Sequence, residues 1–235
     1  MISLDIKFQT SELVPPPHAH AVELSLMATP AGLDYQYDLE YIDREDISPD
    51  ELSEEGYSEH DNLSLKGTLP KIWVEAFTEI LASNKPLHIK ELREEQAFWD
   101  ICEDKKHFYP SNSPAWELLI DEFKQAILEA QQYESPLQIT VLRIGEGGTL
   151  KYGIKGEFKD RSLQITHNEI EKNIAWRDLS CLLKDFFAGE MLPEKTTQKQ
   201  PTHSGLFIDY GDGYWYQLGV SLLTKPSKIT NWLEF

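Results

Sequence analysis

Three segments near the N-terminus alternate apolar and polar side chains, and no helical pattern separates them. They are residues 2–8, 22–27 and 33–41, and in 33–41 every second residue is Leu or Tyr. Such a period of two is typical of a β-strand with one buried and one exposed face. A Pro-Ala-Gly turn at 30–32 separates the second and third segments, which predicts an antiparallel hairpin.

The clearest helical pattern covers residues 113–133. Ser113 is a suitable N-cap and Pro114 fits the first helical position. Apolar side chains recur at three- and four-residue spacing and form one stripe: Trp116, Leu119, Ile120, Phe123, Ile127 and Ala130. Further helices are predicted over 69–83, capped by Thr68, over 89–104 and over 174–188.

The second part of the chain repeats this style. Strands are predicted over 137–143 and 152–158 around a Gly-rich turn at 145–148, and Gly153 and Gly156 suggest a bulge or a close approach. A hairpin over 206–223 and an edge strand over 229–235 follow.

Because strands occur in hairpins, the pattern predicts an α+β fold of antiparallel hairpins and meanders packed against four or so helices. Two similar β-β-β-α halves are one hypothesis for its organisation. We expect an N-terminal half, 1–110, and a C-terminal half, 111–235, joined through the helix 113–133 or merged into one domain.

The composition excludes several classes of function. Forty acidic and 22 basic residues give a formal net charge of −18, which disfavours binding to nucleic acids and to anionic membranes. Cys102 and Cys181 form no metal-binding pair, and their surroundings predict buried, reduced thiols in helices. No leader or membrane-spanning segment is apparent, so a cytoplasmic protein is expected.

The most acidic stretch is 43–61, predicted to be a surface loop with a helical turn at 49–54. Its spacing does not fit an EF-hand, because Ser48 occupies the glycine position of such a loop. The segment is either a solvated loop or a docking surface for a basic protein. The candidate binding residues are Asp43, Glu45, Asp46, Asp50, Glu51, Glu54 and Glu55.

A second candidate surface is the aromatic hairpin around Tyr214, Trp215 and Tyr216. Exposed Tyr and Trp are enriched at binding surfaces, and the alternative is that helices and a loop cover them. The preceding residues 209–213, Asp-Tyr-Gly-Asp-Gly, could hold an acid–base pair, but Asp-Gly is also a strong hairpin-turn signal. We interpret them as a turn.

His18 and His20 are the one closely spaced histidine pair. In an extended segment both rings point to one side, as two metal ligands would, with a third ligand to come from His60, His107, Glu40 or Asp61. The alternative is two exposed loop histidines. No nucleotide-binding loop or nucleophile elbow occurs in the sequence, so no cofactor is expected.

The sequence therefore favours a protein without catalytic activity that binds a basic protein partner, as an immunity or inhibitor-like protein or a subunit of a complex. The alternative is a metal-dependent enzyme that uses His18 and His20. A third class is a small-ligand binder with a cavity between two sheets, for which the sequence locates no polar groups.

Overall fold

The computed structural model describes residues 2–89, 91–168 and 170–234, and contacts divide the chain into two units, Met1–Ile127 and Leu128–Phe235. The predicted division into halves 1–110 and 111–235 remains a prediction. None of the helices in the described ranges is long and apolar enough to cross a membrane.

The first unit contains a six-stranded antiparallel sheet in the order β4-β3-β2-β1-β5-β6. The four strands of its meander are β1 (Ser3–Gln9), β2 (His20–Ala28), β3 (Leu33–Tyr41) and β4 (Leu63–Leu69). Strands β5 (Phe98–Glu103) and β6 (Lys106–Phe108) extend the sheet on the other side of β1. The predicted hairpin is confirmed, since β2 and β3 pair from His20 opposite Tyr41 to Ala28 opposite Leu33.

Three helices belong to this part of the chain: α1 (Pro49–Glu54), α2 (Ile72–Ser83) and α3 (Ser113–Ala130). Helices α2 and α3 supply aromatic residues to the core of the sheet. The ring of Phe123 lies edge-on to Tyr35, Trp73 and Phe77, at centroid distances of 5.7, 5.1 and 5.3 Å. Each such pair contributes about 0.5–1.5 kcal/mol beyond the buried area.

The predicted helix over 113–133 is confirmed in its apolar face, ends at Ala130 instead of 133, and differs in its N-cap. Asn112, not Ser113, acts as the N-cap, because its side-chain oxygen accepts a hydrogen bond from the Ala115 amide at 3.4 Å. Helix α2 begins three residues after the predicted start at 69, because Thr68 belongs to β4, where its hydroxyl donates to Asp34 at 2.6 Å.

The predicted helix over 89–104 is wrong. Residues 98–103 form β5, residues 91–97 are irregular, and Lys90 lies outside the described residues. Strand β5 pairs with β1 from Leu4 to Gln9, which buries Trp99 and Ile101 on the core face. This long-range pairing outweighs the helix propensity of the Glu, Leu and Arg residues before it.

The second unit repeats this sheet topology, in the order β10-β9-β8-β7-β12-β13. Its meander consists of β7 (Leu137–Gly145), β8 (Gly148–Glu157), β9 (Ser162–His167) and β10 (Ile170–Ile174). A two-stranded sheet pairs β11 (Glu190–Met191) with β14 (Leu222–Leu223), and β12 (Gly205–Asp209) pairs with both β7 and β13 (Trp215–Gln217).

Two helices complete the second unit, α4 (Leu179–Phe187) and α5 (Pro226–Thr230). The first part of the predicted helix 174–188 is a 3₁₀ turn, Trp176–Asp178. The predicted edge strand over 229–235 is wrong. Its residues lie in α5 and in a 3₁₀ turn, Asn231–Leu233, and the side chains of Ile229 and Leu233 are buried. Phe235 lies outside the described residues.

The hairpin turn at 145–148 is confirmed between β7 and β8, and these strands pair without a bulge. Gly153 instead marks a close approach, because a Cβ there would lie 2.8 Å from the Thr166 hydroxyl. The six-stranded sheets of the two units therefore share one strand order, whereas α1 lies within the first meander and the β11–β14 pair occurs in the second unit. The β-β-β-α repeat proposed from the sequence omitted one meander strand and the elements after the helix.

Candidate functional site

The acidic segment 43–61 is an ordered part of the first unit. A 3₁₀ turn, Arg44–Asp46, precedes α1, whose predicted position at 49–54 is confirmed. The hydroxyl of Ser48 caps α1 by accepting a hydrogen bond from the Glu51 amide at 3.3 Å, and Leu52 is buried. These contacts give the segment a defined backbone path.

Arg44 is the centre of this segment and is only 4% exposed. Its Nε donates a hydrogen bond to the Pro17 carbonyl at 3.0 Å. Its Nη1 donates to the Ser58 carbonyl at 2.5 Å and to the Asp61 carboxylate at 2.6 Å. One guanidinium therefore joins both ends of the segment to the turn that precedes β2.

Aromatic rings cover this guanidinium. The Arg44 Cζ lies 3.5 Å from the centre of the Tyr41 ring and 5.3 Å from that of Tyr57. A cation close to an aromatic face gains about 0.5–2 kcal/mol. Burial alone would raise the pKa of Asp61, but hydrogen bonds from the Ser58 amide and Arg44, together with the Arg44 charge, hold it below its usual range.

The acidic side chains around Arg44 point to solvent. All seven predicted binding residues are exposed, and no ion pair within the described residues involves any of them. They are Asp43, Glu45, Asp46, Asp50, Glu51, Glu54 and Glu55. The buried arginine thus organises the backbone and leaves these carboxylates without a neutralising partner.

The aromatic hairpin of the second unit is only partly accessible. Tyr214 is 40% exposed, Trp215 is half-buried, and Tyr216 is buried. The Tyr216 ring packs edge-on to Tyr210 at 5.4 Å, and burial is the main cause that raises its pKa. Tyr216 is therefore part of the core, and Tyr214 with one side of Trp215 forms the accessible surface.

The carboxylates of the turn at 209–213 hold the backbone. Asp209 accepts hydrogen bonds from the amides of Gly211 at 2.8 Å and Gly213 at 3.2 Å. Asp212 accepts one from the Tyr214 amide at 2.9 Å. These bonds support the interpretation of 209–213 as a turn.

The two histidines proposed as metal ligands lie at the start of β2. The Nδ1 of His20 donates to the His18 carbonyl at 2.8 Å, and its ring contacts those of Phe8 and Tyr41. His18 is exposed, and its ring lies edge-on to Tyr57 at 5.4 Å. No group of three or more His, Cys, Asp or Glu side chains within 2–89, 91–168 and 170–234 is placed to hold a metal ion.

The prediction of buried thiols is wrong for both cysteines. Cys181 is exposed on α4, and Cys102 is half-buried and lies in a strand, β5, not in a helix. Cys102 lies between Ile101 and Glu103 in β5, and Ile101 is buried on the core face of this strand. The alternation of the strand therefore turns the thiol away from the core.

A cavity with apolar and titratable lining residues lies between the first sheet and α3, inside the first unit. It has a volume of about 190 Å³, and no local sequence pattern predicts it. Its titratable lining residues are His20, Tyr37, Glu117, Asp121 and Lys124. Glu117 and Asp121 are the side chains that a helical pattern alone assigns to the solvent side of α3.

Arg44 could have been singled out from the sequence, because it is the one Lys or Arg in the acidic stretch 43–61. A lone cation between tyrosines and carboxylates is a candidate for burial. By contrast, the cavity depends on pairing between distant strands and carries no local signal.

Comparison with protein-family models, with curated proteins and with solved structures found no match for this chain in any of the three.

Proposed function

We propose that this protein binds a basic protein partner through the acidic segment 43–61. The observation that carries the proposal is the set of seven exposed carboxylates on a backbone held by buried Arg44. Carboxylates that are not paired within the protein remain available to pair with lysines or arginines of another molecule.

The fixed backbone matters for affinity as well as for specificity. A loop that is already ordered loses less conformational entropy on binding than a flexible one. The hydrogen bonds of Arg44 to Pro17, Ser58 and Asp61 supply that order in advance. The formal net charge of −18 adds a long-range attraction that accelerates encounter with a basic partner at low ionic strength.

The second surface of the proposal, in the second unit, is the exposed part of the aromatic hairpin. Tyr214 and the accessible side of Trp215 offer apolar area with polar edges, and Gln198 already donates a hydrogen bond to the Tyr214 hydroxyl at 2.8 Å. Such residues are frequent anchors at protein interfaces. Buried Tyr216 is not part of this surface.

Charge reversal tests the acidic segment. We expect Glu51→Lys, Glu54→Lys and Glu55→Lys together to abolish capture of the basic partner from the native host, and to change Tm by only a few degrees. The three side chains are exposed and make no ion pair in the described part of the chain, and the main cost is the positive charge that Glu51→Lys places in the first turn of α1.

A variant with the same net charge is the control. Glu12→Lys, Glu75→Lys and Glu79→Lys reverse three exposed carboxylates elsewhere in the first unit. This control variant should still capture the basic protein that the parent captures, and this binding should weaken as the salt concentration is raised. Equal capture by both triple variants, or equal loss in both, would show that segment 43–61 is not the docking surface.

A further inference from the structure

The outward face of the first sheet carries a thiol, an imidazole and a carboxylate on two neighbouring strands. Cys102 on β5 lies directly opposite His107 on β6, and Asp100 precedes Cys102 by two residues on the same side of β5. Directly opposed residues of an antiparallel pair point to one face, with Cβ atoms about 4.5–5.5 Å apart. The three side chains therefore form one cluster on the face that is turned away from the core.

Asp100 holds the ring of His107 in one orientation. The Nδ1 atom of His107 lies 2.8 Å from the Oδ1 atom of Asp100. Because an ionised carboxylate can only accept, Nδ1 is the donor, and Nε2 of the neutral ring keeps a free lone pair. A histidine oriented by a carboxylate beside a thiol is the arrangement in which the imidazole acts as a base for a nucleophile.

A groove with a volume of about 280 Å³ lies over this cluster, and we call it the thiol groove. Its remaining polar lining comes from β1 and β2, and Asp5 of β1 lies directly opposite Cys102. Both β1 side chains are bound to β2, since the Ser25 hydroxyl donates to Asp5 at 2.6 Å and Lys7 Nζ donates to Glu23 at 2.9 Å. These bonds hold Asp5 and Lys7 towards β2 and leave room beside the thiol for a second reactant.

The charges of the thiol groove select the kind of reactant. Three carboxylates line it, those of Asp5, Glu23 and Asp100, against the single ammonium of Lys7. The resulting negative potential attracts cations and repels anions. Carboxylates also repel a thiolate, so a base that takes the thiol proton as the new bond forms is an advantage at this place.

We propose that Cys102 is a modification site that forms a mixed disulfide with small cationic disulfides, with His107 as the base. Nε2 of His107 takes the proton of the Cys102 thiol while Sγ attacks one sulfur of the reagent. The S–S bond of the reagent breaks, and the leaving thiolate takes the proton back from His107. One disulfide is exchanged for another and one thiol is released, so no further oxidant is needed. The proposal does not depend on the acidic segment 43–61.

Cys181 provides an internal control for reactivity. It is exposed on α4, whereas Cys102 is half-buried, so exposure alone predicts that Cys181 reacts first. We expect the opposite order with cystamine, a disulfide that carries two ammonium groups. Mass spectrometry of peptides from the treated protein should show Cys102 modified about tenfold faster than Cys181. Equal rates, or a faster reaction of Cys181, would overturn the proposal.

Removal of the imidazole tests the base. His107→Ala should slow the reaction of Cys102 about tenfold or more and leave the rate of Cys181 unchanged. Free imidazole should restore part of the lost rate, which a purely structural role of His107 does not predict. His88→Gln replaces an exposed histidine outside the thiol groove and should change neither rate. An unchanged rate of Cys102 in His107→Ala, or no effect of imidazole, would contradict the role of His107.

Asp100 is a positioning residue in this proposal, and a double substitution tests that role. Asp100→Asn should slow the reaction of Cys102 several-fold, although the loss of a neighbouring negative charge by itself favours a thiolate. In the His107→Ala variant the same substitution should no longer slow the reaction, because no ring remains to be oriented. Equal slowing with and without His107 would show that Asp100 does not act through the imidazole.

The charge of the reagent tests the class of reactant. Bis(hydroxyethyl) disulfide is a neutral counterpart of cystamine, and the reaction of each with free mercaptoethanol gives their intrinsic ratio of rates. After correction for this ratio, Cys102 should react several-fold faster with cystamine, and added salt should reduce the preference. Asp5→Asn together with Glu23→Gln should remove most of it. Absence of a preference for cystamine at low salt would refute the assignment to cationic disulfides.

Discussion

Replacing Arg44 by methionine removes the centre of the acidic segment and keeps most of the buried apolar volume. The substitution deletes hydrogen bonds to the carbonyls of Pro17 and Ser58 and to the carboxylate of Asp61. Hydrogen bonds that involve a charged group contribute about 1.5–3 kcal/mol each, but they are not additive. The residue is only 4% exposed, so water does not easily replace it.

We expect a loss of about 3 kcal/mol in the free energy of unfolding, at the lower end of the roughly 3–5 kcal/mol measured for broken buried ion pairs. The lower end applies because the side chain of Asp61 is 38% exposed and regains water when its partner is removed. For a unit of this size such a loss lowers Tm by about 10 °C.

The pH dependence provides an independent check of the same contact. The pKa of Asp61 is lowered in the folded protein, so its pairing with Arg44 stabilises the fold above the usual aspartate pKa and is lost as pH falls. The difference between parent and Arg44→Met should therefore be largest near neutral pH and should shrink below about pH 4.

Urea denaturation and hydrogen exchange measure the two consequences. The amides of 43–61 should exchange faster in Arg44→Met than in the parent. Arg93→Met is the matched control, because Arg93 pairs with Glu95 while its side chain is 72% exposed, and we expect a change below about 0.5 kcal/mol. A loss below about 1 kcal/mol for Arg44→Met, or unchanged exchange in 43–61, would refute the reasoning.

Two further substitutions test single contacts. Asp121→Asn should raise Tm slightly at pH 7 and leave it unchanged near pH 3. The reason is that a carboxyl with a raised pKa lowers the stability of the fold once it ionises. A lower Tm of the variant at pH 7 would show that His20 or Lys124 stabilises the ionised Asp121. Asp209→Ala should lower the free energy of unfolding, measured by urea denaturation, by about 1–2 kcal/mol, because two turn amides lose their acceptor. Replacing the exposed Asp160 by alanine should change it little. Equal losses in the two variants would refute the role of Asp209.

The hairpins of the first unit could be predicted because the residue pattern that specifies them lies within neighbouring segments of the chain. In β2 and β3 the alternation of side chains decides both the strand and its buried face, and Leu24, Leu26, Tyr35 and Tyr37 are buried as expected. A shift of the pairing by one residue would expose all of them, so the pattern specifies the register strongly.

Strand β5 could not be predicted in the same way. Residues 91–97 are rich in helix-forming side chains, and only Phe98–Glu103 shows a short alternation. The deciding contact is the pairing with β1, far away in the sequence. A short stretch of sequence shows the helix or strand propensity of its residues, but it does not show that β1 is the pairing partner of β5.

The two candidate sites differ in the same respect. The acidic segment is visible in the sequence because its carboxylates cluster in one short stretch, in which Arg44 is the one Lys or Arg. The lining of the cavity comes from five separate elements: β1, β2, β3, β5 and α3. On the helix pattern alone, Glu117 and Asp121 appear as solvent-facing polar residues.

The position of β1 in the sheet has a consequence for folding. Strands β1 to β4 pair with their neighbours in the chain, but the other edge of β1 must wait for β5, about ninety residues later, and such non-local pairing forms slowly. During synthesis this edge of β1 is therefore open to pairing with other chains. Asp5 and Lys7 lie on the exposed face of β1, and charged side chains of this kind oppose edge-to-edge association. We therefore expect the charges at Asp5 and Lys7 to oppose association of this edge with other chains until β5 pairs with it.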